Sequence, residues 1–119
     1  MSRAARTVFV FGVYLVGVAV TLAAAPNLLL GLLGIPAAHE PWIRVLGIVV
    51  GALATYYIVA ARGDFVPFFK ASVWVRVLVL VAFCGLVALS WAPAAIIGFG
   101  VIDSLGGLWT WLALRPQPR

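Results

Sequence analysis

Charge is what this chain has least of. Asp, Glu, Lys and Arg make up 9% of its 119 residues, and 66% are hydrophobic. An average soluble domain has about 25% charged and about 45–50% apolar residues. There is too little polar surface here to coat a soluble globule, and far too much apolar surface for a disordered chain. The single cysteine excludes a disulfide framework and a Cys-built metal site. The single histidine excludes a multi-His metal site. Also missing are a Ser-His-Asp set, a P-loop, a Gly-rich dinucleotide fingerprint and an H-E-x-x-H motif, so no residue pattern names a reaction or a cofactor. What remains is one domain, residues 1–119, of an integral membrane protein.

Long hydrophobic runs are what the chain has in plenty. A spanning helix needs ~20 mostly apolar residues to cross ~30 Å of hydrocarbon. Four stretches qualify: 7–25, 42–61, 67–89 and 93–114. They are too long for strands. Pro41, Pro67 and Pro93 sit at or just before helix starts, where a missing N–H costs nothing. The fold expected is all-α, a bundle of four transmembrane helices. The first run has a basic lead-in and an Ala-Ala-Ala end that mimic a signal peptide. It exceeds the ~7–15 residues of a signal h-region, so it is expected to be retained.

The connection 26–41, PNLLLGLLGIPAAHEP, is too apolar for a loop in water. Asn27 is placed to cap a short helix over 28–33 and Gly34 to end it. A half-helix lying in the interface, or folded over the bundle as a lid, is expected.

Four spans bring both termini to one side. Arg3, Arg6, Arg62, Lys70, Arg115 and Arg119 fall on that side, six of eight basic residues, against Arg44 alone on the other. The positive-inside rule then makes both termini cytoplasmic. The net charge of +5 is a topology signal and a contact for anionic lipid. No nucleic-acid motif accompanies it. Trp42 and Trp91 at one interface, and Trp109 and Trp111 at the other, form an aromatic belt, while Trp74 lies deeper.

Helices in lipid associate through small residues and hydrogen bonds. The faces expected to pack are Tyr14, Gly17, Thr21 and Ala24 or Ala25 in the first span, and Arg44, Gly47, Gly51, Ala54 and Thr55, running on to Ile58 and Arg62, in the second. In the third they are Ser72, Arg76, Leu80, Phe83, Val87 and Ser90, and in the fourth Gly100, Asp103, Gly107 and Thr110 with Gly106 beside them. Cys84 reads as a small buried residue, and Tyr56 as pointing away from the bundle.

Arg76 and Asp103 carry the chemistry. An ionisable group at a helix centre costs roughly 2.5–3.5 kcal/mol on the insertion scale, so both must turn inward. Counted from the turn at Trp91, Arg76 lies ~22 Å deep and Asp103 ~16 Å, within reach of a direct pair. Tyr14 and Tyr57 fall at similar depth. Arg76, Asp103, Tyr14 and Tyr57 are therefore the candidate ligand-binding residues. A buried ion pair that only sets helix register is the competing reading. His39, Glu40 and Arg44 form a second group at the outer end, where Glu40 and Arg44, one turn apart, are placed to pair.

The loop Leu33-Gly34-Ile35-Pro36, the stretch Arg44-Val45-Leu46-Gly47, the Ala60-Ala61-Arg62 ending and Asp103 in a Gly-rich fourth helix resemble the DoxX-like group of small bacterial four-helix membrane proteins. Arg76 in the third span departs from that group's pattern. The resemblance implies an accessory role in quinone-linked redox chemistry or in handling a lipophilic ligand, and it carries over no catalytic residue. Three functions stay open: an accessory subunit that binds a lipophilic or quinone-like ligand; a proton-coupled transporter or flux protein with Asp103 as proton carrier; and a structural bundle that assembles with a partner membrane subunit or with its own copies.

Overall fold

The computed structural model describes residues 1–115, so Arg119 lies outside the described residues. The fold is all-helical. Helix α1 covers Arg3–Ala24, α2 Pro26–Leu32, α3 Trp42–Arg62, α4 Val66–Ala88 and α5 Ile96–Leu114. All but α2 are long and apolar enough to cross a membrane, at 19 to 23 residues. At 1.5 Å per residue these are rods of about 30 Å. The observed bounds fall within four residues of those expected, the largest difference being the start of α1 at Arg3.

The helix ends follow from local chemistry. Ser2 caps α1 by accepting the Ala5 N–H at 3.0 Å. Pro26 does not merely stop α1; it occupies the first position of α2. Three helices end in the same left-handed motif, at Gly34, Asp64 and Ser90, with φ of 71°, 52° and 60°. In each, the following N–H reaches back to a carbonyl of the last turn: Ile35 to Leu30 at 2.9 Å, Phe65 to Ala60 at 3.0 Å and Trp91 to Leu86 at 2.9 Å. Gly34 ends α2 as its sequence suggests. Asn27 does not cap it. Its amide instead clasps the Ala38 backbone, accepting the N–H at 2.8 Å and donating to the carbonyl at 3.2 Å. That double bond folds the 26–41 connection back on itself.

Helix α1 runs along α3, α4 runs along α5, and α1 joins the two pairs, mostly through α5. Glycine sets the closest approaches. A Cβ on Gly47 would sit 2.7 Å from the Ala23 amide nitrogen, and one on Gly12 would sit 2.9 Å from Ile58. A Cβ on Gly100 would meet Leu80 at 3.0 Å. The packing faces expected of α3 and α5 are confirmed at Gly47, Ala54, Gly100, Gly107 and Thr110, all buried. On α3 the expected face needs correction at Arg44, Thr55 and Arg62, which are exposed; the buried face continues from Ala54 to Tyr57 and Ala61 instead.

The face expected of α1 needs correction. Gly17 is exposed and nothing approaches it, while Val8, Phe11, Gly12, Leu15, Ala19 and Leu22 make the buried side. Cys84, expected inside, is exposed. Tyr56 points away from the bundle as expected, 66% exposed. The exposed surface of α3 and α4 is a run of Val, Leu, Ile and Trp side chains, suited to lipid rather than water.

Candidate functional site

The four expected site residues sort into two layers. The lower one, toward the termini, is built around Arg76. This arginine is 2% exposed, the largest fully buried side chain described. Its guanidinium carbon lies 4.2 Å from the Phe11 ring centroid and 5.1 Å from that of Tyr57. Such cation–π contacts strengthen when the charge is shielded from water. Nε donates to Tyr57 Oη at 3.3 Å and Nη2 to Ser72 Oγ at 3.2 Å. Ser72 in turn donates to the Phe69 carbonyl at 2.8 Å. Tyr57 packs edge-on against Phe68, with ring centroids 5.0 Å apart. The layer is thus a plug of aromatic and guanidinium groups drawn from α1, α3 and α4.

The direct Arg76–Asp103 pair expected from depth does not form. The Arg76 side-chain stem faces Gly107, which leaves Asp103 one turn, ~6 Å, farther from the termini. The guanidinium spends its reach on Phe11, Tyr57 and Ser72. Its Nη1 stops against α5 at Gly106, where a Cβ would lie 3.3 Å away, and it has no hydrogen-bond partner. Gly106 therefore makes the room that this cation needs.

The upper layer is a cavity of about 370 Å³. Asp103 and Tyr14 supply its polar groups. Its walls are apolar and come from every helix: Leu15 and Leu22 of α1, Leu46 and Val50 of α3, Phe83 of α4, Phe99 of α5. Helix α2 closes over it with Leu29 and Leu30, and Leu33 and Ile35 extend the cover. The half-helix expected between the first two spans is thus a roof. Its outward side chains Leu28 and Leu32 are exposed apolar groups, as lipid contact requires. Phe11 divides the layers. Its ring lies 5.5 Å from Tyr14 above and 5.3 Å from Tyr57 below.

The structure therefore brings Tyr14 and Asp103 together and sets Arg76 and Tyr57 beneath them as a floor. The outer group does not assemble. Arg44 Nη1 donates to the carbonyls of Ala23 and Ala24, satisfying orphan acceptors at the end of α1. It is this competition that takes Arg44 away from Glu40. His39 and Glu40 are exposed and line a shallow surface depression with Trp42. Sequence reasoning missed Phe11 and the roof leucines. Phe11 shares a helix face with Val8 and Leu15, a spacing that signals an inward position. In a span this apolar, other faces signal the same.

Comparisons with family models, curated proteins and solved structures return no match for this chain.

Proposed function

We propose that this protein is a membrane module that binds a lipophilic molecule with a small hydrogen-bonding head, of the quinone or quinol kind. The observation that carries this is a lone carboxyl, with one phenol beside it, in an otherwise apolar cavity roofed by its own helix. Ligand sites have this composition, mostly apolar with few placed polar groups, and volumes from about 300 Å³ upward. A quinol head offers a hydroxyl to the Asp103 carboxylate, and a quinone head offers a carbonyl to the Tyr14 hydroxyl. The tail lies among Leu22, Leu46 and Phe83. Arg76 touches no ligand in this reading. It is a positioning residue that places a fixed positive charge behind Asp103 and seals the cavity floor.

The same floor weighs against the transport reading. Beneath Asp103 the bundle is filled by Phe11, Tyr57, Arg76 and Phe69, each 7% exposed or less. A purely structural bundle has no use for the roofed space above them. The setting we propose is the plasma (inner) membrane of a bacterium, which the DoxX-like resemblance implies, with both termini cytoplasmic, which the six-to-one basic asymmetry supports. A module this small suits an accessory subunit, and the DoxX-like resemblance points the same way.

The test is equilibrium binding of a decyl-tailed benzoquinol, kept reduced, to the protein in nanodiscs. Binding should saturate at one ligand per chain. Asp103→Asn and Tyr14→Phe should each weaken it by about tenfold, the worth of one hydrogen bond to a polar head. Decylbenzene, which has the tail and no hydroxyl, should bind no better than the quinol binds to the weakened variants. Unsaturable uptake that neither substitution changes means partition into lipid, and the reading fails.

A further inference from the structure

At the end of the bundle that holds the termini, α4 and α5 enclose a groove of about 330 Å³ away from the cavity. It is lined by Lys70, Val73 and Trp74 of α4, and by Trp111, Leu114 and Arg115 at the end of α5. The two sides mirror each other. Each helix offers one cation and one tryptophan four residues apart, so both side chains project from the same helix face. The helices run antiparallel, which puts Lys70 and Arg115 together at the mouth. The Arg115 guanidinium stands 5.0 Å from the Trp111 ring centroid, which fixes the cation over the groove. Trp74 and Trp111 are 70% and 43% exposed, although both belong to membrane-spanning helices. Val73 and Leu114 form an apolar wall between them.

We propose that this groove binds one anionic phospholipid, with the phosphate between Lys70 and Arg115 and an acyl chain along Trp74, Trp111 and the Val73–Leu114 wall. The chemistry of each part selects that ligand. Two converging cations suit a phosphate. Indole rings prefer the headgroup level, where one edge is wet and the other apolar. A soluble phosphate would use the cations and leave the tryptophans and the apolar wall without a partner. Basic residues elsewhere at this end, such as Arg3 and Arg62, raise the local potential but do not line this groove.

The experiment compares two variants of equal charge loss. Binding of phosphatidylglycerol to the detergent-purified full chain is titrated by native mass spectrometry. Lys70→Gln with Arg115→Gln should lower the affinity about 30-fold, the effect of two basic side chains near a lipid phosphate. Arg3→Gln with Arg62→Gln should lower it less than about 3-fold. Lys70→Arg with Arg115→Lys keeps both charges and should bind as the parent does. Inorganic phosphate and glycerol 3-phosphate should fail to displace the lipid at millimolar concentration. Equal losses in the two Gln double variants would reduce the site to a general surface potential. Displacement by inorganic phosphate would make it a phosphate site. Either result overturns the proposal, as does unchanged binding in all variants.

Discussion

The two halves of the bundle are held in different ways. Toward the termini the helices are cross-linked by polar side chains. Thr7 of α1 and Thr110 of α5 share a buried 2.7 Å hydrogen bond, Ser2 donates to Asp64 in the α3–α4 turn, and Arg76 ties α4 to α3 through Tyr57. The buried residues crowd this half: Ala4, Ala5, Val8, Phe11, Tyr57, Ala60, Ala61 and Phe69 form one cluster. In the opposite half α1 still presses on α3 at Gly47, and α4 on α5 at Gly100, but little draws the two pairs together. The cavity lies there. The difference teaches how a pocket forms in lipid. Apolar side chains gain nothing by leaving lipid for each other, so helices close only where small residues or hydrogen bonds close them. Where both run out, the pairs part and a roof is needed.

This contrast is sharpest at Arg76. Arg76→Ala should cost about 3 kcal/mol, since it empties the volume between Phe11 and Tyr57 and strands the Tyr57 hydroxyl. Reversible unfolding in mixed micelles reads the loss. Equal stability of this variant and the parent would mean that the lower layer is not what holds the pairs together. Gly47→Val comes next, at roughly 2 kcal/mol. The clash is with backbone atoms of α1, which cannot rotate away. Thr7→Val follows at about 1 kcal/mol, the worth of one interhelical hydrogen bond. Crosslinking between cysteines placed at the α1 and α5 ends should show that half loosening in Thr7→Val and unchanged in Gly47→Val.

Asp103 should matter least to folding. Depth counting alone makes it the direct partner of Arg76, and breaking a buried pair costs roughly 3–5 kcal/mol. With Arg76 engaged by aromatic rings and hydroxyls instead, Asp103→Asn should shift stability by less than about 0.5 kcal/mol. The same micelle unfolding assay distinguishes the two values. A loss of several kcal/mol would restore the direct pair.

The reach of the sequence is visible in these same residues. Span lengths, proline positions and the left-handed Gly34 are local matters, and each could be read from a short window. So could the glycine ridges of α3 and α5, because small residues are scarce enough there to mark one face. The inward face of α1 was not legible. That helix is apolar on all sides, so Gly17 and Thr21 looked as good as Gly12 and Ala19. The depth of Arg76 and Asp103 was legible to within a turn, and their inward orientation followed from cost. Their partners were not, because a guanidinium has five donors and sequence alone does not rank an aromatic face, a hydroxyl and a carboxylate as its neighbours. Asn27 shows the same limit: an amide at a helix start looks like a cap until a carbonyl and an N–H of Ala38 come into reach.

The most direct test of the central claim is photolabelling with a benzoquinol that carries a diazirine on its tail, followed by peptide mapping. The account predicts labels on the cavity wall, at Leu22, Leu46, Val50 and Phe83, suppressed by excess unlabelled quinol and lost in Asp103→Asn. Labels confined to the lipid-facing side chains Ile48, Leu78 and Val81, insensitive to competitor and to Asp103→Asn, would contradict it.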